Sequence, residues 1–169
     1  MTRTDSTTKI NTRTLAGGAV VLSELGFGAA PIGNLYRKVS AAQARQAVLE
    51  ALGQGIRYFD SAPFYGFGLS EKRLGSALAG CDHRPVLSTK VGRLLKPVQH
   101  SMRQALRYGF ASEEQFEPAF DYTYDGVMHS FEESLRRLGV ERIPILFVHD
   151  LGVVTHGDAA TWRGVRAVE

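Results

Sequence analysis

Four short apolar segments, each ending on a glycine or a polar residue, set the strongest constraint on this fold. They are the run to Gly28, "IRYFD" to Asp60, "RPVLSTK" to Lys90 and "PILFVHD" to His149. Helical patterns stand between them, so crossover connections and a parallel sheet follow. "PILFVHD" is apolar at consecutive positions, a pattern suited to a parallel strand covered on both faces.

The intervening stretches carry their own start and stop signals. Ser40 and Gln43 form a capping box ahead of Ala44, Ala47, Val48, Ala51 and Leu52, and Gly53 and Gly55 end that helix. Ser70 is placed to cap a second helix, with Glu71 in its first turn, Leu74, Ala77 and Leu78 on its apolar face, and Gly80 as its stop. Val127, Phe131, Leu135 and Leu138 mark a third helix closed by Gly139. "RTLAGGAVVLSEL" reads as a β-hairpin turning at Gly17-Gly18. Residues 91–122 are less regular and read as an insertion or long loop with a short helix near 99–107. A fourth helix is expected to begin at "THGDAATW".

Composition narrows the functional classes. The chain of 169 residues is 44% hydrophobic and 22% charged, an ordinary globular balance. Its net charge of +3 is mild and no Lys/Arg run stands out, so a nucleic-acid partner is not expected. No run of about 18 apolar residues suggests a membrane span. Cys81 is the single cysteine, which excludes an internal disulfide and fits a reduced, cytoplasmic setting. Residues 1–12 read as a flexible lead-in, with one domain over 13–169. The five histidines are dispersed, which argues against a metal site.

The strand ends carry the chemistry. Gly28, Asp60, Lys90 and His149 each stand at the C-terminal end of an expected parallel strand, and Tyr65 follows Asp60 in a glycine-rich loop. That edge of a parallel sheet is where ligands bind. Taken singly, each residue has an ordinary structural role: a loop cap, a packed phenol, a solvated ammonium, a hydrogen-bonded imidazole. Together they form an acid–base set. A phenol ionises near pH 10, and an adjacent Lys⁺ favours its phenolate. Asp60 is placed to pair with Lys90, and His149 to orient a substrate oxygen. Such a set moves a proton on or off a carbonyl or alcohol oxygen, while a hydride must come from a redox cofactor. "GFGAAP" does not make a Rossmann fingerprint, because Pro31 replaces the third glycine and the helix begins about ten residues later. Arg93 and Lys96 in "VGRLLKP" lie close to the site and read as solvated loop charges.

These residues resemble the aldo-keto reductases. The matching stretches are "LGFGAAPIGN", "GIRYFDSAPFYGFGLSEKRLG", "VLSTKVGR" and "FEESLRRLGVERIPILFVHD", over residues of about 13 to 152. The resemblance implies a (β/α)8 barrel with an N-terminal hairpin at its bottom and NADP or NAD as cofactor. It also implies Tyr65 as general acid/base, Lys90 and Asp60 as its charged support, and His149 as the carbonyl-orienting group. Gly28, Ala29, Ala30 and Asp60 correspond to the nicotinamide-facing positions. "PIGNLY" and "FVHDLG" look most like the bacterial branch that oxidises aldoses, L-fucose-type sugars and pyridoxal. The expected substrate is therefore a sugar or small carbonyl compound.

A complete barrel needs eight βα units and about 250 residues. Four strands are visible in this sequence. The expectation is thus the N-terminal half of a barrel, not closed, with free sheet edges that promote self-association and with little or no dehydrogenase activity by itself. The alternative function is a non-catalytic truncated product that pairs with itself or with a complementary half.

Overall fold

The computed structural model describes residues 10–81, 85–98 and 106–157. Strands β1 (Thr12–Leu15) and β2 (Val20–Ser23) pair antiparallel around the turn at Ala16–Gly18, forming the expected hairpin. The Ser23 hydroxyl accepts a hydrogen bond from the Arg57 amide at 2.8 Å. This ties the hairpin to the segment just before the strand Tyr58–Asp60, at the end away from Asp60.

The central sheet holds β3 (Phe27–Gly28), β4 (Tyr58–Asp60), β5 (Val86–Val91) and β8 (Ile145–Val148), all parallel and in that spatial order. Helix α1 (Ala41–Gly53) connects β3 to β4, α2 (Leu69–Leu78) connects β4 to β5, and α3 (Tyr124–Leu138) precedes β8. Ser40 caps α1 with both halves of its capping box formed. Thr123 caps α3, and Gly139 closes it in the left-handed conformation.

Register assigns the two faces of the sheet. Phe27, Phe59 and Leu87 stand side by side and face the helices, since side chains alternate along a strand. There Phe59 joins Val48, Leu74, Ala77 and Leu138 in the core. Full burial of a side chain such as Phe59 or Leu74 contributes about 1.5–3 kcal/mol. The opposite face carries Tyr58, Asp60, Ser88, Lys90 and Phe147. No helix covers it among the described residues. This is the inner wall of an unclosed barrel, as expected.

Four details differ from the sequence reading. Residues 91–122 contain a second hairpin, β6 (Arg93–Pro97) with β7 (Phe116–Phe120), rather than a plain loop. Pro97 and Pro118 obscured it in the sequence, yet a two-stranded ribbon has free outer edges that tolerate proline. The helix expected near 99–107 falls largely outside the described residues, as does the chain after residue 157. Ser70 does not cap α2: Gly68 holds that position, while Ser70 is fully buried and donates to the Ala29 carbonyl at 2.7 Å. In α3 the buried positions are Gly126, Ser130, Ser134 and Leu138, with Phe131 and Leu135 packed at the core's margin. The helix is crowded at both ends of that line: a Cβ on Gly75 of α2 would sit 2.2 Å from the Leu138 carbonyl oxygen, and one on Gly126 would sit 2.4 Å from Asp121 Oδ1. Finally, Leu146, Phe147 and Val148 of β8 are exposed, because β8 is the sheet's edge among the described residues.

Candidate active site

The loop after β4 is built to hold Tyr65 firmly. Its amide donates to the Ala62 carbonyl, and its own carbonyl accepts from the Ser70 amide at the start of α2. Gly66, at φ +64°, touches the backbone of Gly33; a Cβ there would lie 2.2 Å from the Gly33 oxygen. Only glycine supplies both the backbone angle and the space. The Ser112 hydroxyl donates to the Gly66 carbonyl from the other side at 2.7 Å.

The structure brings Asp60, Tyr65, Lys90 and His149 to one place. Lys90 Nζ donates to Asp60 Oδ2 at 2.6 Å and to the Ser61 carbonyl at 2.8 Å. It also stands 4.7 Å from the centre of the Tyr65 ring. The His149 ring meets the Tyr65 ring edge-on, 5.8 Å between centres. Phe110 stacks on Tyr65, with 6.1 Å between ring centres. The phenol is therefore held by a cation, an imidazole and an aromatic wall.

His149 is buried, and its Nδ1 has no hydrogen-bond partner among the described residues. Burial drives its pKa down from 6.5 to about 4. The Asp150 carboxylate pulls the other way, and Arg93 and Lys90 add to the depression. The ring is thus neutral at pH 7.

Sequence reasoning missed three contributors. Ser88, fully buried, donates to Asp60 Oδ1 at 2.6 Å and lies 3.0 Å from the Tyr58 hydroxyl. Its position two residues before Lys90 places it on the same face of β5, and that alternation was the available signal. Phe110 came from the irregular segment, where no periodicity pointed to it. Arg93 is not a solvated loop charge: its side chain is 14% exposed and ion-paired with Asp150. Lys96 is exposed.

Gly28 lies beside Asp60 in register and is open to its surroundings. A hollow lined by Gly28, Tyr58, Asp60, Lys90 and Phe147 begins there. Ala29, by contrast, is fully buried. Its amide donates to the Asp60 carbonyl and its own carbonyl accepts from Ser70, so it has no surface to offer a ligand. Ala30 is half-buried. Among the described residues no group of three or more His, Cys, Asp or Glu is arranged to hold a metal ion. No described helix is long and apolar enough to cross a membrane.

The model of the "Aldo/keto reductase family" matches residues 24–167. The chain belongs to this family. Pyridoxal 4-dehydrogenase of Microbacterium luteolum is 46% identical over 154 residues, covering 86% of this chain and 45% of that protein. D-threo-aldose 1-dehydrogenase of a Pseudomonas species is 41% identical over 138 residues, covering 80% and 42%. Among solved structures, the holo form of an aldo-keto reductase from Bacillus halodurans superposes with a TM-score of 0.62 at 29% identity, covering 82% of this chain and 40% of that one. The chain therefore spans less than half the length of these family members. Four parallel strands and an unclosed sheet are what such a span of an aldo/keto reductase barrel contains.

Proposed function

We propose that this chain carries the proton-transfer half of a nicotinamide-dependent aldose or aldehyde dehydrogenase site. The observation that supports it most is the Asp60–Lys90 pair beneath the Tyr65 ring, with neutral His149 at the ring's edge. In oxidation Tyr65 takes the proton from a sugar or alcohol hydroxyl; in reduction it returns that proton to a carbonyl oxygen. Lys90 stabilises negative charge developing at Tyr65, and Asp60 holds Lys90 in place. His149, being uncharged, orients the substrate oxygen without competing for the proton. A bound nicotinamide, NAD or NADP, supplies or accepts the hydride. The residues present suit its flat ring: Gly28 leaves the hollow open, Phe147 offers an apolar surface, and Asp60 and Lys90 form the polar end. Its phosphates and adenosine would need residues beyond those described here.

The test uses a chimera in which residues 24–157 replace the matching part of the Microbacterium pyridoxal 4-dehydrogenase. It is expected to oxidise an aldose or reduce an aldehyde with NAD(P). Tyr65→Phe should lower kcat by about 10²–10⁴-fold with little change in KM. Turnover near the parent rate in that variant would remove Tyr65 from the role.

A second reading has its own observation. Leu146, Phe147 and Val148 are 42%, 46% and 41% exposed along a free strand edge. Such an edge pairs readily with another strand, which favours a chain that works by association rather than by catalysis.

A further inference from the structure

Arg93 opens β6 just beyond the end of β5. Its guanidinium is clamped between two rings, 4.0 Å from the centre of Phe64 and 4.5 Å from that of Phe120. Nη2 meets Asp150 Oδ2 at 2.5 Å. The same oxygen lies 3.6 Å from His149 Nε2, beyond hydrogen-bond distance. Asp150 adopts φ +53°, a left-handed conformation that few non-glycine residues take. Phe64 in turn packs edge-on against His149 at 5.8 Å and directly precedes Tyr65. One arginine thus touches the carboxylate beside His149 and the ring between His149 and itself.

A carboxylate next to an imidazole normally takes its N–H and favours its charged form. Here the closer partner of Asp150 is Arg93. We infer that Arg93 is a positioning residue: it holds the Asp150 carboxylate away from His149 Nε2, leaving that nitrogen to bond a substrate oxygen. The inference rests on the proposed role of His149 in orienting substrate. The other groups facing His149 do not substitute for Arg93. Lys90 is committed to Asp60 and the Ser61 carbonyl, the Tyr122 hydroxyl donates to the His149 carbonyl, and Tyr65 and Phe64 present rings.

Nitrogen NMR of the histidine rings, on the folded chain without substrate and below concentrations at which it associates, tests this directly. In the parent chain His149 is expected to stay neutral down to about pH 4. Arg93→Gln should raise its titration midpoint by about 1 pH unit and shift Nε2 toward a hydrogen-bonded N–H. Asp150→Asn in that background should reverse both changes. Asp150→Asn alone should leave the Nε2 shift of the neutral ring in place, because that nitrogen is not bonded to Asp150; asparagine accepts the same backbone conformation, so this arm stands even if Arg93→Gln fails to fold. An unchanged midpoint in folded Arg93→Gln, or an Nε2 shift in the parent that shows a hydrogen bond lost in Asp150→Asn, overturns the inference. Failure of the catalytic reading shows elsewhere, as unaltered kcat and KM for His149→Ala in the chimera.

Discussion

Burying the His149 imidazole carries a cost that grows as pH falls. Its folded pKa is about 4, against 6.5 for the free group. Between those values the unfolded chain binds a proton that the folded chain refuses, so stability is full above pH 6.5 and declines toward pH 4. At 1.36 kcal/mol per pH unit the loss is about 3 kcal/mol by pH 4. Urea unfolding across this range should show that decline, and His149→Phe should flatten it. Equal slopes in both proteins would show that the ring is not held neutral by burial. Lys90→Met acts on the same cluster by another route, leaving Asp60 with Ser88 but no cation. In the chimera it should lower kcat by about 10²-fold, measured at saturating cofactor. Asp60, Lys90 and His149 were legible in the sequence because a strand end is marked by composition. The Arg93–Asp150 pair was not, because which loop charges meet depends on how a hairpin folds back.

Helix α2 is pinned in its first turn by one buried carboxylate. Glu71 is fully buried; it accepts from the Thr89 hydroxyl and from Arg137 Nε of α3, each at 2.6 Å. Glu71→Ala leaves Arg137, 12% exposed, with only the Ser134 hydroxyl at 3.1 Å and the Glu133 carboxylate at 3.8 Å, and should cost about 3 kcal/mol of unfolding free energy. Denaturant midpoints at pH 7 would measure this, and a change under 1 kcal/mol would show that Arg137 swings out to water. The sequence reading placed Glu71 at the helix start for its charge and did not see the ion pair. A carboxylate in a first turn looks the same whether it faces solvent or the next helix. Helix ends were read well where glycine or a capping box marks them, as at Ser40 and Gly139. The hairpin of β6 and β7 was unreadable because its prolines mimic a loop.

At the level of the molecule, the sheet ends on β3 and β8 and has one uncovered face among the described residues. The parallel order followed from strand and helix alternation alone, so this much of the architecture was visible beforehand. The exposure of β8 was not, since its apolar run reads as a covered strand. We expect the isolated chain to self-associate through β8. Sedimentation should show mass rising with concentration, and Leu146→Lys with Val148→Lys should return it to monomer. Purified alone, it should show no NAD(P)-dependent turnover above background.

The pairing of Glu71 with Arg137 also bears on how the chain is made. The two lie 66 residues apart, with β5, the β6–β7 hairpin and most of α3 between them. On a ribosome adding roughly 5–20 residues per second, Arg137 follows Glu71 by about 3–13 s. Until it emerges, α2 cannot dock without burying an unpaired charge. An α2 that docked in that interval would bury the Glu71 carboxylate without its cation, a cost that only the arrival of α3 removes.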